Sequence, residues 1–141
     1  MTAGGPPQRR LAEAEYRLAA DRLAELSRRH PGVPGYRAGF AKALVALGEA
    51  RELGGPPAAA AADFESAHRC LDRLARECAE VPEYRADLGR ACLGLSRTAA
   101  GGPAVADDWG ARGLAALRAA QAAAPDNSEL TRSLAAASPN R

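Results

Sequence analysis

Several residue types are scarce in this chain of 141 residues, and each scarcity argues against a class of protein. Aromatic residues make up 4% of it, and the three cysteines show no Cys-x-x-Cys spacing, which argues against a disulfide framework. No apolar run approaches the roughly 18 residues that a membrane span requires. Lys42 is the only lysine, and the arginines alternate with acidic residues instead of forming a basic arm. We therefore expect neither a membrane nor a nucleic acid as partner.

Catalytic and metal-binding signatures are lacking as well. The sequence contains no Gly-x-Ser-x-Gly elbow, phosphate-binding loop or His-Glu-x-x-His motif. Cys70 and Cys78 are eight residues apart, which on a helix separates their directions by roughly 80°, and His68 points elsewhere. The N-terminus has no apolar segment of the secretory type. The sequence predicts a cytoplasmic protein that is not an enzyme and needs no metal or cofactor.

What the chain does have is small apolar side chains. Alanine supplies about a quarter of the residues, 47% of the sequence is hydrophobic, and the net charge is +2. This content is too high for a disordered chain, and the length suits one domain or a short run of repeats. The abundance of Ala, Gly, Pro and Arg is typical of a GC-rich bacterial genome.

An internal repeat is the most informative pattern. The segment 33–43, Val-Pro-Gly-Tyr-Arg-Ala-Gly-Phe-Ala-Lys-Ala, recurs 48 residues later as 81–91, Val-Pro-Glu-Tyr-Arg-Ala-Asp-Leu-Gly-Arg-Ala. A third, degraded copy follows with an offset of 46, in which Leu130 stands where the second copy has Tyr84. Fixed-period similarity of this kind is the signature of a repeat architecture.

Each copy predicts two helices. Apolar residues at alternating steps of three and four form one stripe per helix, and Pro-Gly segments separate the stripes. Pro34 and Pro82 fit the first helical turn, and Asp126 or Asn127 can cap the last helix. The pattern gives six helices, at about 9–30, 34–50, 58–79, 82–98, 104–123 and 128–137. Because the connections are short, we expect antiparallel neighbours whose stacking makes one core.

The expected domain organisation follows from these boundaries. Residues 1–8 and 138–141 are predicted to be disordered. The helical-repeat domain is predicted to span 9–137, with units at about 9–50, 58–98 and 104–137.

The sequence resembles a tetratricopeptide-type helical repeat. The Leu88-Gly89 pair after Tyr84 is similar to the family's Leu-Gly pair, and Ala67 to the small residue where paired helices touch. The period exceeds the usual 34 residues. Segments 12–17 and 81–85 resemble long-period variants in large bacterial regulatory proteins, often C-terminal to a Ser/Thr kinase domain. The resemblance implies an all-α fold, a short right-handed α-solenoid of helix pairs with a concave groove.

The groove supplies the candidate binding residues. The resemblance implies that the helices at 34–50 and 82–98 line it, and four basic residues recur on them: Arg37, Lys42, Arg85 and Arg90. If they face the groove, they would attract acidic or C-terminal carboxylate groups. The alternative is that these are solvated charges whose stems cover apolar surface.

A second set of residues is predicted to pack the interior. Its members are apolar or aromatic and lie on the helix stripes: Tyr36, Phe40, Phe64, Leu71, Leu74, Tyr84 and Leu88. Trp109 has two interpretations, a cap on the stack or an exposed anchor for a partner.

Three hypotheses of function remain open. The first is an interaction scaffold that binds a peptide or partner helix in the groove. The second is a regulatory repeat segment of a larger bacterial Ser/Thr protein kinase. The third is a structural module that forms homo-oligomers through the open ends of its stack.

Overall fold

The computed structural model describes residues 6–138, and within them every regular element is an α-helix. This confirms the all-α prediction with six helices: α1 (Pro6–Arg29), α2 (Pro34–Glu52), α3 (Pro57–Glu77), α4 (Pro82–Thr98), α5 (Gly102–Ala123) and α6 (Ser128–Ala137). The predicted disorder at 1–5 and 139–141 lies outside the described residues. Residues 6–8 instead form the first turn of α1, where proline loses no hydrogen bond.

The two Val-Pro segments enter their helices in the same way. Val33 precedes α2 with φ −105° and ψ 98°, and Val81 precedes α4 with φ −106° and ψ 97°. In both copies the valine N–H donates to a carbonyl three residues earlier, in His30 and Cys78, at 3.0 and 3.1 Å. The sequence repeat is therefore also a repeat of backbone conformation.

The third copy replaces the proline entry with a side-chain cap. Asn127 Oδ1 accepts hydrogen bonds from the N–H groups of Glu129 at 3.0 Å and Leu130 at 3.2 Å. These are two of the donors that the start of a helix leaves without an intrahelical partner. Of the two caps that the sequence allowed, the structure uses Asn127.

Glycine is required where α4 passes into α5. Gly101 and Gly102 have φ of 124° and 85°, a region that residues with a side chain rarely adopt. A Cβ on Gly101 would also lie 2.8 Å from Cγ2 of Val105. The pair turns the chain sharply, and α5 begins at Gly102, slightly earlier than predicted.

The main core forms around Phe64, whose ring is fully buried. A Cβ on Gly48 of α2 would lie 2.9 Å from Cε1 of the ring, and one on Gly94 of α4 would lie 2.5 Å from Cδ1. The ring thus fills a space that exists because both neighbouring helices carry glycine there. Leu71 and Leu74 continue the same buried face of α3.

The predicted packing residues differ in burial. Phe64, Leu71 and Leu74 are fully buried. Phe40, Tyr84 and Leu88 are partly buried against the core. Tyr36 is half-exposed, and its ring contacts His30 with 5.8 Å between centroids instead of joining the core. Tyr36 lies in the first turn of α2, beside the end of α1, so its ring contacts the turn that joins these two helices.

Helix packing follows chain order, with one addition. Each helix contacts the next, and α2 also contacts α4, as α4 contacts α6. Within residues 6–138, the backbones of α1, α3 and α5 do not approach one another within 8 Å. The helices α2, α4 and α6 therefore form a row. Over the same residues, no helix is both long and apolar enough to cross a membrane.

Candidate functional site

The row of α2, α4 and α6 carries a groove of about 360 Å³. We call it the row groove. Most of its lining side chains are charged, and the others are small or apolar. The lining residues are Lys42 from α2, Glu83, Ala86, Asp87 and Arg90 from α4, and Glu129, Leu130, Arg132, Ser133 and Ala136 from α6.

Helical spacing explains the wall that α4 contributes. Glu83, Asp87 and Arg90 are four and three residues apart, so they share one face of the helix. Asn127 Nδ2 donates to Glu83 Oε2 at 3.4 Å, which links the start of α6 to the start of α4. The cap residue of α6 thereby also contacts the opposite wall.

Two carboxylates hold the guanidinium of Arg90. Its Nη2 donates to Glu49 Oε1 of α2 at 2.9 Å, and its Nη1 lies 3.6 Å from Asp87 Oδ1. Burial raises the pKa of the Asp87 carboxyl, and the charges of Lys42 and Arg90 oppose that rise. Arg90 is therefore committed to ion pairs within the protein and bridges α2 and α4.

Lys42 and Arg132 are the cations of the groove that remain available. Both are exposed, on α2 and α6, and within the described part of the chain neither has a carboxylate within 4.0 Å. Glu83 and Glu129 stand among them, so the walls are of mixed charge.

An apolar recess continues the groove between α4 and α6. It has a volume of about 240 Å³, and its apolar lining residues Leu93, Leu117, Ala136 and Ala137 are joined by Ser133, Glu49, Arg90 and Arg97. Arg97 at its rim donates to both oxygens of Glu52 at 2.8 Å, a bidentate pair. The site combines charged walls with an adjoining pocket that suits an apolar side chain.

The four predicted basic residues are not all brought together. Lys42 and Arg90 line the row groove. Arg37 faces α3, where its Nη2 donates to Glu77 Oε1 at 3.0 Å. Arg85 is half-exposed and does not line the groove.

The acidic wall residues and the contribution of α6 were not identified from the sequence. One signal was present, because Glu129 follows Glu83 at the same 46-residue offset as the other third-copy residues. The repeat gives no such signal for Arg132 and Ser133, because Ala86 and Asp87 are the residues 46 positions earlier. Only the packing of α6 against α4 reveals them.

The other candidate groups have structural surroundings. Trp109 lies edge-on to His68, with 4.9 Å between ring centroids, and Arg112 stacks 4.4 Å above it. Burial lowers the pKa of His68 and raises the pKa of the Cys92 thiol to about 11. Cys70 and Cys78 are free and partly buried. Over residues 6–138, no cluster of three His, Cys, Asp or Glu side chains could hold a metal.

Comparisons with protein-family models, curated proteins and solved structures find no match to this chain.

Proposed function

We propose that the chain is an interaction scaffold of the tetratricopeptide-repeat type. In this proposal antiparallel helix pairs stack as a short right-handed solenoid, and α2, α4 and α6 form its concave side. The 48-residue sequence repeat, the matching turns at Val33 and Val81, and the contacts along that row support it. Stacked helix pairs of this kind create extended concave binding surfaces.

The row groove is the proposed binding site of the partner. The observation that carries the proposal is the placement of Lys42 and Arg132, which have no carboxylate partner within the described residues, beside the apolar recess at Leu93 and Leu117. An acidic peptide or helix would set a carboxylate against these cations and an apolar side chain into the recess. Exposed ion pairs contribute only about 0–1 kcal/mol each, so the apolar anchor supplies most of the affinity.

A charge-matched capture experiment tests the proposal. The wild type, Lys42→Glu/Arg132→Glu and the control Arg10→Glu/Arg22→Glu serve as baits in host lysate, with captured proteins identified by mass spectrometry. The control residues are exposed on α1 and change the net charge equally. We expect a partner that the wild type and the control retain and the groove variant loses. Circular dichroism verifies that all three baits are folded.

Two results would contradict the groove proposal. If all three baits retain the same partners, binding occurs on another surface. If the control loses the partners as completely as the groove variant, binding depends on net charge and not on the groove.

Self-association is the second candidate function, and one observation favours it. Leu11 and Leu18 lie two turns apart on α1 and expose 63% and 51% of their surface. In this alternative the exposed face of α1 pairs with another copy. Light scattering of Leu11→Gln/Leu18→Gln would show a lower mass than the wild type. A wild type that stays monomeric at high concentration would contradict this candidate.

A further inference from the structure

A second cavity, outside the row groove, lies at the junction of α2 and α3 and has a volume of about 400 Å³. We call it the arginine pocket. Its lining combines three guanidinium groups with a hydroxyl, a thiol and an aromatic ring. The residues are Arg37 and Phe40 of α2, and Ser66, Arg69, Cys70 and Arg73 of α3.

The spacing on α3 directs its polar groups to one side. Ser66, Arg69 and Arg73 are separated by three and four residues, so they share a helix face. Arg69 Nη2 donates to Ser66 Oγ at 3.4 Å. The Ser66 hydroxyl accepts in this bond, so its own O–H remains a donor to anything placed in the pocket.

Arg37 is held in place from two sides. Its Nη2 donates to Glu77 Oε1 at 3.0 Å, and its main-chain carbonyl accepts from Cys70 Sγ at 3.5 Å. Its Nε is buried and has no hydrogen-bond partner within the described structure. A buried N–H without a partner is costly, so Arg37 brings an unsatisfied donor to the edge of the pocket.

The charge of the pocket is strongly unequal. Glu77 accepts from Arg37 and also from Arg73 Nε, each at 3.0 Å, and it is the carboxylate that these two arginines share. These hydrogen bonds hold the pKa of Glu77 below its usual value, so it is ionised at neutral pH. Against one negative charge stand the three guanidinium groups of Arg37, Arg69 and Arg73.

We propose that the arginine pocket binds a phosphate monoester. A ligand carboxylate carries one charge and would have to compete with Glu77, which carries the same charge and is already in place. A phosphate monoester carries about −1.5 to −2 at neutral pH and offers three acceptor oxygens. Arginine forks match phosphate geometry, and Ser66 adds a hydroxyl donor. Phe40 gives the organic part of the ester an apolar surface.

The arginine pocket and the row groove are on different sides of α2. Arg37 and Lys42 are five residues apart, which on a helix separates their directions by roughly 140°. The two sites can therefore be tested separately, and the phosphate proposal does not depend on the groove proposal.

Titration of the isotope-labelled full chain by NMR tests the proposal. The probes are O-phosphoserine, phenyl phosphate, inorganic phosphate and acetate, and the signals are the arginine Nε–H resonances. We expect both monoesters to shift the Arg37 Nε–H signal with a Kd on the order of 1 mM, as weak exposed ion pairs imply. Acetate should leave the signal in place.

Three variants are expected to change the affinity for O-phosphoserine in different directions. Arg73→Gln should weaken O-phosphoserine binding about fivefold or more. Arg76→Gln is the matched control, because Arg76 is on the same helix and its side chain is as exposed as that of Arg73, at 76%. It should leave the Kd unchanged. Glu77→Gln removes the competing carboxylate and should tighten binding about fivefold, which loss of a merely structural group would not do.

Several results would overturn the proposal. One is an Arg37 signal that stays in place up to about 20 mM monoester, a concentration well above the expected Kd. Equal losses of monoester affinity in Arg73→Gln and Arg76→Gln would also overturn it, as would weaker binding by Glu77→Gln. Binding of inorganic phosphate without either monoester would show a site for free phosphate, and equal binding of acetate a non-selective cation cluster.

Discussion

The α2–α3 and α4–α5 junctions occupy equivalent places in the repeat but are packed differently. Residues of α4 follow those of α2 by 48, and residues of α5 follow those of α3 by 46. At the first junction Gly48 receives the ring of Phe64. At the second, Ser96 faces Gly110, whose Cβ would lie 3.3 Å from the serine hydroxyl. Neither helix of the second junction therefore carries a large side chain at this position.

Close backbone contact takes the place of the ring at the second junction. Ala41 and Ala67, both fully buried, belong to the first junction, and Gly89 and Gly113 stand at the corresponding positions of the second. A Cβ on either of these glycines would lie 2.9 Å from the carbonyl oxygen of the other. Here α4 and α5 are joined by backbone proximity.

The two junctions also differ in their polar side chains. Arg51 Nη1 of α2 donates to the buried carboxylate of Asp63 at 2.9 Å. The corresponding residues of the second junction are Ala99 and Trp109, both partly buried against the apolar core. An ion pair and an apolar pair thus occupy equivalent positions. The repeat keeps the order of the helices and the turns that enter them, while the residues that fill each junction vary.

The largest predicted effect is the loss of the ring at the first junction. Phe64→Ala should lower the free energy of unfolding by about 3–5 kcal/mol, because a fully buried ring leaves a cavity between two glycine-bearing helices. Urea denaturation followed by circular dichroism measures it. Phe40→Ala, at a partly buried ring, should cost less, and an equal cost for both would contradict the central role of Phe64.

A smaller loss is expected at the second junction. Gly89→Ala should lower the free energy of unfolding by about 1–3 kcal/mol, because the new methyl group meets the Gly113 carbonyl and forces the helices apart. Gly35→Ala is the control, since it is on α2 with nothing within 4 Å of the added Cβ. It should be neutral or slightly stabilising. If both variants behave alike, the close contact does not limit packing.

The smallest effect concerns the ion pair and depends on pH. Burial raises the pKa of the Asp63 carboxyl above 3.8, although the charges of Arg51 and Arg17 oppose it. The folded state therefore keeps this proton to a higher pH than the unfolded chain does. As the pH rises from the pKa of the unfolded chain to that of the folded state, the contribution of Asp63 to the free energy of unfolding falls. On acidification from pH 7 the wild type should gain stability relative to Asp63→Asn.

Urea denaturation of both proteins at a series of pH values below 7 measures this difference. If the wild type instead loses stability relative to the variant on acidification, the two arginines dominate and the carboxyl is stabilised in its ionised form.

Much of the fold could be predicted because its determinants are local. Prolines and the glycine pair set the helix starts, and the stripe containing Leu71 and Leu74 identified the buried face of α3. The approach of Gly48 and Gly94 to Phe64 could not be predicted in this way. It depends on the distance between helices, which no single segment of sequence encodes.

The site was only partly predictable for a related reason. Recurrence suggested that Arg37 and Arg85 act alike, yet Ala123 stands where Glu77 would be needed to hold Arg85 as Arg37 is held. Periodicity places a residue on a helix, but the neighbouring helix decides what it contacts. The ion pair between Arg90 of α4 and Glu49 of α2 could not be predicted for the same reason.

Lys42 has a consequence for labelling chemistry. It is the only lysine of the chain, it is exposed, and it lines the row groove. Once the α-amino group has been blocked, an amine-reactive dye or cross-linker would therefore attach inside the groove. The fluorescence of such a dye would report on the groove directly, and a cross-linker there would test the proposal that a protein occupies it.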